Sequence, residues 1–289
     1  MALILNKGDL RKLSVIEALR KDMVVLSSDA YLHECVSAMI KHKFGAVLIE
    51  SLAGHDCGII SKTDIIMAYY SSIPLDIVAQ EIMVTKIVSC FEYDPLDFAI
   101  TKMLQEDIKQ LVVLDKEHIQ VGILSFSDIV GLIYKVCFEC KRNLFKASNH
   151  EQEKEWIRVK DVMSINVKSI DSGSSIAQAL EIILGQHISA LPVIAPDKRL
   201  IGVVSKTDLM LAYRHGVGLD VAVNEIMSVP PIVCDFNTYL TEAIKILILA
   251  DVDRIFVEDP DKTVLGVLSF TDAAKFKSGS CKACRAGNW

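Results

Sequence analysis

The sequence has few of the features that would assign it to nucleic-acid binding, membrane insertion or secretion. Its 289 residues carry 31 lysines and arginines against 37 aspartates and glutamates, a net charge of −6, with no visible basic face. Nucleic-acid binders favour basic stripes. Apolar stretches such as Ile244 to Ala250 are far shorter than the ~20 residues of a membrane helix. The N-terminus lacks the apolar core of a signal peptide, so we expect a cytoplasmic protein without nucleic-acid or membrane partners.

Catalytic signatures are missing as well. There is no Gly-rich phosphate loop of the G-x-x-x-x-G-K-S/T type, and the motifs yield no Ser-His-Asp set, which predicts a protein that is not an enzyme. The eight cysteines come without a secretion signal and favour reduced thiols in packing, metal binding or redox chemistry. With 51% hydrophobic residues, the chain is long enough for two ordinary domains with apolar cores.

The pattern Gly-x-x-Ser-x-x-Asp is present four times. Its four occurrences are Gly58–Asp64, Gly122–Asp128, Gly202–Asp208 and Gly266–Asp272. The first and third lie 144 residues apart, as do the second and fourth, so the two halves of the chain are in register. The first and third read Ser-Lys-Thr-Asp, whereas the second and fourth read Ser-Phe-Ser/Thr-Asp. A unit therefore doubled and diverged before the pair doubled again.

The third repeat shows the order of its elements most clearly. The alternating residues Asn166–Ile170 predict a strand, and a serine-capped helix follows with apolar residues at i, i+3 and i+4 spacing. Ser189–Ile194 and Leu200–Val204 predict two further strands, the second leading into a helix that ends near Tyr213. The unit is strand, helix, strand, strand, helix, in an α/β (α+β) fold.

A unit of about 55 residues buries only one face of its sheet well, so we expect adjacent repeats to pair and complete each other's core. The extra N-terminal residues, 1–20, are expected to pack on the first module. The predicted division of the chain is a first module over residues 1–140 (repeats about 15–72 and 80–137), a linker or helical extension over 141–156, a second module over 157–280 (repeats about 159–215 and 224–277), and a cysteine-containing tail over 281–289.

These motifs together resemble the cystathionine-β-synthase (CBS) domain family. The matching features are Met83 and Met227 in Glu-Ile-Met, Met163 in Asp-Val-Met, Ala190–Val193, and the four repeated junctions. The resemblance covers nearly the whole chain and is specific because it recurs in every repeat. It implies four CBS repeats paired into two Bateman modules with pseudo-twofold symmetry. Such modules commonly pack into a disc through their helices, which implies a homodimer or a compact pseudo-tetrameric monomer.

A serine followed three residues later by an aspartate at the start of a helix is also a capping box, which requires no ligand. Alternatively, the carboxylate takes both hydroxyls of a ribose while the helix N-terminus and nearby cations receive phosphate. Both interpretations can hold at once. The family resemblance implies that the ribose candidates are Asp64, Asp128, Asp208 and Asp272, with Ser61, Ser125, Ser205 and Ser269 beside them.

Phosphate binding requires cations near these junctions. The family often places a basic residue just before the second strand of a repeat, and Arg254 is the one residue of this chain that matches. Lys62 and Lys206 lie inside the junctions of the first and third repeats, and Lys109 lies next to the position equivalent to Arg254. Any single lysine is more often a solvated surface group, but as a set they keep phosphate binding open.

Two further pairs leave alternatives open. Lys43 and His187 occupy equivalent positions after the first helix of their repeats, where they are either phosphate contacts or cations that answer the helix dipole. Phe126 and Phe270 either stack on a base or pack at an interface between repeats. In both pairs the structural interpretation is the favoured one.

Two C-x-x-C pairs, Cys137 with Cys140 and Cys281 with Cys284, also recur at matching places. Thiolates at this spacing chelate zinc or an iron–sulfur cluster, and the two pairs together would complete a four-ligand site. Reversible disulfide formation is a second possibility. Because duplication alone copies cysteines, the absence of any chemistry is the third.

The leading interpretation is a non-enzymatic regulatory sensor. AMP, ADP or ATP would bind between paired repeats and change the affinity for an unidentified regulated protein by contacting two arrangements unequally. S-adenosylmethionine, NAD(H) and a cyclic dinucleotide are other adenine-bearing candidates. The alternative is a metal- or redox-responsive protein with zinc or an iron–sulfur cluster on the four cysteines and the CBS modules as scaffold. A third class is a structural assembly module that binds neither ligand.

Overall fold

The computed structural model describes residues 13–50, 57–134 and 157–280, and each repeat folds there as strand, helix, strand, strand, helix. A short helix, α1 (Val15–Ala18), comes first. The first repeat contains β1 (Val25–Ser27), α2 (Leu32–His42), β2 (Ala46–Glu50), β3 (Cys57–Ser61) and α3 (Lys62–Tyr70). The second contains β4 (Ser89–Phe91), α4 (Leu96–Gln105), β5 (Gln110–Leu114), β6 (Gln120–Ser125) and α5, described over residues 126–134.

The second half of the chain repeats this order. The third repeat contains β7 (Ile170–Asp171), α6 (Ile176–Gly185), β8 (Ala190–Ile194), β9 (Leu200–Ser205) and α7 (Lys206–Arg214). The fourth contains β10 (Val233–Asp235), α8 (Leu240–Leu249), β11 (Arg254–Glu258), β12 (Val264–Ser269) and α9 (Phe270–Ser280). Each repeat forms its own three-stranded sheet, in which the first pair of strands is parallel and the second antiparallel.

The elements predicted for the third repeat are present, with one difference. Helix α6 buries the apolar stripe at Ile176, Ala179, Leu180 and Ile183 and is capped by Ser175. Strand β7 is shorter than the predicted Asn166–Ile170, because the chain before Ile170 leaves its own sheet and runs to the fourth repeat.

Adjacent repeats exchange the chain that precedes their first strands, here called the leading segments (residues 13–24, 71–88, 157–169 and 215–232). The leading segment of each repeat bridges the last strand of its neighbour, through the pairs Arg20–Ile123, Val84–Ile59, Ser164–Val267 and Ser228–Val203. Helix α1 also packs on the second repeat, where Val15 is fully buried. This reciprocal exchange ties the first repeat to the second and the third to the fourth, which makes the two Bateman modules.

The exchange explains why the junction glycine and the methionine of the leading segment recur together. A Cβ on Gly58 would lie 2.4 Å from Sδ of Met83, and a Cβ on Gly202 would lie 2.5 Å from Sδ of Met227. Carbon and sulfur do not approach so closely without displacement, so any larger side chain would push the methionine off the neighbouring sheet. Glycine is therefore required by the partner repeat rather than by the junction itself.

The apolar cores follow a different pairing. One core joins the first repeat to the third, and the other joins the second to the fourth. Apart from leading-segment residues such as Ala79 and Val223, the adjacent repeat contributes little to either core. The expectation that adjacent repeats complete each other's core is wrong on this point, because their leading segments meet at sheet edges while the apolar helix faces point to the other module.

Helices α3 and α7 are the centre of this packing between modules. The rings of Tyr69 and Tyr213 stack with centroids 4.8 Å apart, and the Tyr69 hydroxyl donates to the carbonyl of Val217 at 2.7 Å. The Tyr213 hydroxyl donates in the same way to the carbonyl of Ile73. Burial raises the pKa of both phenols to about 12. The reciprocal contacts give the four repeats a local pseudo-twofold axis within one chain.

Several expectations concern residues outside the described ranges. The linker at 141–156, the tail at 281–289 and the first twelve residues all fall there. None of the helices in the described part of the chain combines the length and the apolar character that crossing a bilayer requires.

Because one core spans two modules, a cavity in α7 should destabilise both modules together. Met210 of α7 is fully buried, and we expect Met210→Ala to lower the free energy of unfolding by about 2–5 kcal/mol in a single transition. Denaturant unfolding followed by circular dichroism measures this. The control is Leu249→Ala, since that side chain is 78% exposed and should leave stability almost unchanged. Two transitions, of which only one shifts, would contradict a shared core.

Candidate functional site

Each junction is built by a strand that ends in serine and a helix that begins on the next residue. In the first repeat β3 ends at Ser61 and α3 begins at Lys62, and the third repeat does the same at Ser205 and Lys206. The first N–H groups of a helix have no intrahelical acceptors. Here the serine hydroxyl accepts from one of them, and the aspartate side chain reaches back to the serine N–H.

All four aspartates cap their own helices with a single carboxylate oxygen. The serine N–H donates to Oδ2 at 2.7 Å in Asp64, 2.9 Å in Asp128, 2.7 Å in Asp208 and 2.9 Å in Asp272. The serine hydroxyl donates to the same oxygen in every repeat. Oδ2 thus accepts two hydrogen bonds, so a ribose diol reaches the carboxylate through Oδ1 unless the cap opens.

The second carboxylate oxygen is engaged differently from repeat to repeat. In the second module a serine of the exchanged leading segment donates to it. The Ser228 hydroxyl lies 2.8 Å from Oδ1 of Asp208, and the Ser164 hydroxyl lies 3.2 Å from Oδ1 of Asp272. These serines are exposed and can turn away toward solvent.

The first module has no such serines. Nε of Arg20 lies 3.6 Å from Oδ1 of Asp128, in an ion pair whose arginine side chain is 55% exposed. Burial raises the pKa of Asp128 above its ordinary value, whereas the hydrogen bonds from Ser125 and the charge of Arg20 act in the opposite direction. Oδ1 of Asp64 receives no hydrogen bond from any described residue.

The junctions of the first and third repeats face each other across the pseudo-twofold axis. Nζ of Lys62 donates to Oγ1 of Thr207 at 3.0 Å, and Nζ of Lys206 donates to Oγ1 of Thr63 at 2.6 Å. The two lysines lie at the N-termini of α3 and α7, whose dipoles place further positive potential in the same region.

Arg254 reaches this region from the fourth repeat. It begins β11, and its guanidinium donates to the hydroxyl of Ser189 and, at 3.5 Å, to the carbonyl of Ala190 at the start of β8. Its Nε is buried and has no hydrogen-bond partner among the described residues. A buried donor without an acceptor is costly, so this guanidinium is suited to receive an anionic acceptor.

Lys62, Lys109, Lys206 and Arg254 together form what we call the cationic centre. Burial lowers the pKa of Lys206 to about 8, and the charges of Arg254 and Lys62 lower it further against the opposing effect of Asp64 and Asp253. Burial, then Arg254 and Lys206, likewise lower the pKa of Lys109 to about 8. Lys206 is half-buried and carries this case more than Lys109, whose side chain is exposed along part of its length.

Lys43 and His187 do not join the cationic centre. Nζ of Lys43 lies 2.5 Å from Oδ2 of Asp251, and Nδ1 of His187 lies 3.9 Å from Oδ2 of Asp107. All four residues are exposed and have positive φ, at the C-terminal ends of their helices. The favoured helix-terminal interpretation agrees with this position, and the pairs also connect the two modules.

The remaining sequence candidates are distributed as follows. Phe126 and Phe270 are buried in the core of the second and fourth repeats, so they pack and do not stack on a ligand. Cys35, Cys90 and Cys234 are buried, and burial raises the pKa of each thiol, to about 11, 11 and 12. Cys137, Cys140, Cys281 and Cys284 lie outside the described residues. Within the described ranges no group of histidine, cysteine and acidic residues is arranged to hold a metal ion.

Sequence reasoning missed the residues that act between repeats. Arg20, Ser164 and Ser228 contact the junction acids of neighbouring repeats, and Thr63 and Thr207 accept from the central lysines. The 144-residue register aligns Arg20 with Ser164, and that is the signal that could have selected them. Nothing in the sequence shows, however, that the leading segments cross to another sheet.

The curated relatives that this chain matches resemble only part of it, or match over only part of their own length. Inosine-5'-monophosphate dehydrogenase of Nitrosopumilus maritimus is 30% identical over 125 residues, which is 42% of this chain. Protein MJ1225 of Methanocaldococcus jannaschii is 20% identical over 196 residues, 68% of each chain. The first three relatives are matched over 25%, 42% and 63% of their own lengths.

Solved structures share the architecture of the whole chain. The crystal structure of MJ1225 superposes with a TM-score of 0.75 at 18% identity and covers 91% of this chain and 99% of that protein. A conserved protein from Pyrococcus horikoshii gives a TM-score of 0.60 at 20% identity and covers 92% of this chain and 100% of its own. At these identities the likeness concerns the fold alone.

A sequence model of the CBS domain matches most of the chain. The four matches span residues 15–71, 78–135, 159–215 and 223–279. They coincide with the four repeats that exchange leading segments and share cores in the structure. The chain therefore belongs to the CBS domain family.

Proposed function

We propose that this protein is a non-enzymatic sensor that binds an adenine nucleotide (AMP, ADP or ATP), with the phosphates at the cationic centre and the ribose on a junction aspartate. The observation that carries the proposal is the meeting of Lys62, Lys206 and Arg254 beside the N-termini of two helices. Helix N-termini and clustered cations favour phosphate. The CBS domain family to which the chain belongs is consistent with a regulatory role.

The state of the cations supports an anionic ligand. An amine that is half-buried beside two other cations gives up its proton more easily, which is why the pKa of Lys206 is lowered. A bound phosphate would reverse this effect by pairing with the charges. S-adenosylmethionine carries no phosphate and has a positive sulfonium group, so the cationic centre favours nucleotides over it.

A route from binding to regulation follows from the same contacts. The hydrogen bonds from Lys62 to Thr207 and from Lys206 to Thr63 join the two modules. A phosphate that takes either lysine competes with these bonds and thereby biases the angle between the modules. Nucleotides with different numbers of phosphates would bias it unequally, which is what a partner protein requires to distinguish them.

The metal hypothesis remains a separate prediction. The two C-x-x-C pairs follow helices α5 and α9, and both helices contribute residues to one apolar core. If the four cysteines bind zinc or an iron–sulfur cluster, anaerobically purified protein should contain about one metal centre per chain, and only a cluster would absorb visible light. Protein whose metal content is unchanged by Cys140→Ser would contradict this hypothesis.

A charge deletion at the centre should weaken nucleotide binding in proportion to the phosphate. We expect Lys206→Gln to lower the affinity for ADP by about 10- to 100-fold, the equivalent of a charge-assisted hydrogen bond of about 1.5–3 kcal/mol, and to leave adenosine binding unchanged. Isothermal titration calorimetry measures both ligands. Lys245→Gln is the matched control, since Lys245 is exposed on α8. Equal losses for adenosine and ADP would remove the phosphate from the centre.

Binding should also depend on pH in a defined direction. In the free protein Lys206 and Lys109 are protonated below about pH 8 and lose their protons above it. Because phosphate stabilises the protonated amines, affinity should be highest below pH 8 and fall as the pH rises toward about 9 to 10. Near pH 8 binding should take up protons, which calorimetry in two buffers of different ionisation enthalpy detects. An affinity that stays level, without proton uptake, is the contrary result.

A further inference from the structure

The four junctions have the same capping geometry, yet the residue that each receives from the neighbouring repeat differs. This residue is the bridging residue of the exchanged leading segment, and its four occurrences are Arg20, Val84, Ser164 and Ser228. The 144-residue register relates Arg20 to Ser164 and Val84 to Ser228, so the four are structurally equivalent. Duplication therefore kept the backbone and changed one side chain.

The bridging residue lies next to the oxygen that the cap leaves available. Ser228 donates to Oδ1 of Asp208 and Ser164 to Oδ1 of Asp272, at 2.8 Å and 3.2 Å. A hydroxyl both donates and accepts, so such a serine can turn and accept from a ligand hydroxyl without leaving the carboxylate unsatisfied.

The first module contains the two extremes. Val84 has no polar atom, and Oδ1 of Asp64 accepts no hydrogen bond from the described residues. Arg20 places a permanent cation 3.6 Å from Oδ1 of Asp128. A guanidinium has donors only, so it cannot accept from a diol, and it competes with the diol for the carboxylate.

Lack of space does not explain a closed site at Asp128. Arg20 also lines a cavity of about 380 Å³, together with Met23, Val24, His42 and Phe44. This volume lies within the range of small-molecule sites of about 300–1,000 Å³. The cavity has apolar and aromatic walls and room for a ligand, while the acid beside it is already paired.

We propose that the bridging residue selects which junction accepts a ribose diol. Asp64, opposite Val84, is the open site; Asp208 and Asp272 open when their serine turns; Asp128 is closed by Arg20. This selection rests on the proposed nucleotide binding and assigns it to particular repeats.

The register between the modules offers a reciprocal experiment on the full chain. Arg20→Ser gives the second repeat the residue of the fourth, and Ser164→Arg does the opposite. We expect Arg20→Ser to add one AMP-binding equivalent to the stoichiometry measured by equilibrium dialysis with AMP, and Ser164→Arg to remove one. Arg20→Gln, which removes the cation but keeps much of the side-chain length, should act in the same direction as Arg20→Ser.

Both positions are exposed, so these changes should leave the thermal unfolding midpoint unchanged, which circular dichroism checks. A third variant, Val84→Arg, should remove the site at Asp64. If the wild-type protein binds AMP and none of these variants changes the stoichiometry or the affinity, the selection by the bridging residue is overturned while nucleotide binding stands. If the wild-type protein binds no nucleotide, both proposals fail.

Discussion

The packing of α3 against α7 is the contact on which the rest of the molecule depends. Each helix lies on the other across the pseudo-twofold axis, with Tyr69 and Tyr213 stacked and each phenol bonded to the opposite backbone. Because both helices begin at a junction, the same packing brings two helix N-termini and two lysines together. Apolar burial and the accumulation of positive charge are thus two results of one geometry.

This arrangement places a stabilising and a destabilising interaction side by side. The core of the first and third repeats buries apolar side chains from both modules, which favours association. The cations at the adjoining helix ends repel one another, and burial adds to that cost. Threonine hydroxyls offset part of it by accepting from the lysines. A fold that holds unpaired positive charge in this way has free energy available for an anionic ligand.

The exchange of leading segments explains how four similar repeats acquire different chemistry. Capping of each helix depends on the serine and the aspartate, which the duplications preserved, so every repeat begins its last helix in the same way. The residue opposite the free oxygen comes from another repeat and takes no part in the cap. It can therefore change from arginine to serine or valine without disturbing the backbone, which separates stability from selectivity.

Local features were predictable because they depend on neighbours along the chain. The spacing of Ile176, Ala179 and Ile183 predicts α6, and Ser205 with Asp208 predicts the start of α7. The strand that should begin at Asn166 was too long, because the chain there pairs with another repeat. Arg254 could be selected as a phosphate candidate, but its contact with Ser189 could not be predicted from sequence.

Four repeats of one unit, their order of elements and their capping residues follow from the amino-acid sequence, since hydrophobic periodicity and capping act over a few residues. Which repeat shares a core with which, and which side chain meets each junction acid, depends on contacts between residues far apart in the chain. Lys43 and Asp251 illustrate this, because 208 residues separate two side chains that form one ion pair. Such contacts are set by how helix faces and sheet edges are satisfied together, and that balance exists only in the folded molecule.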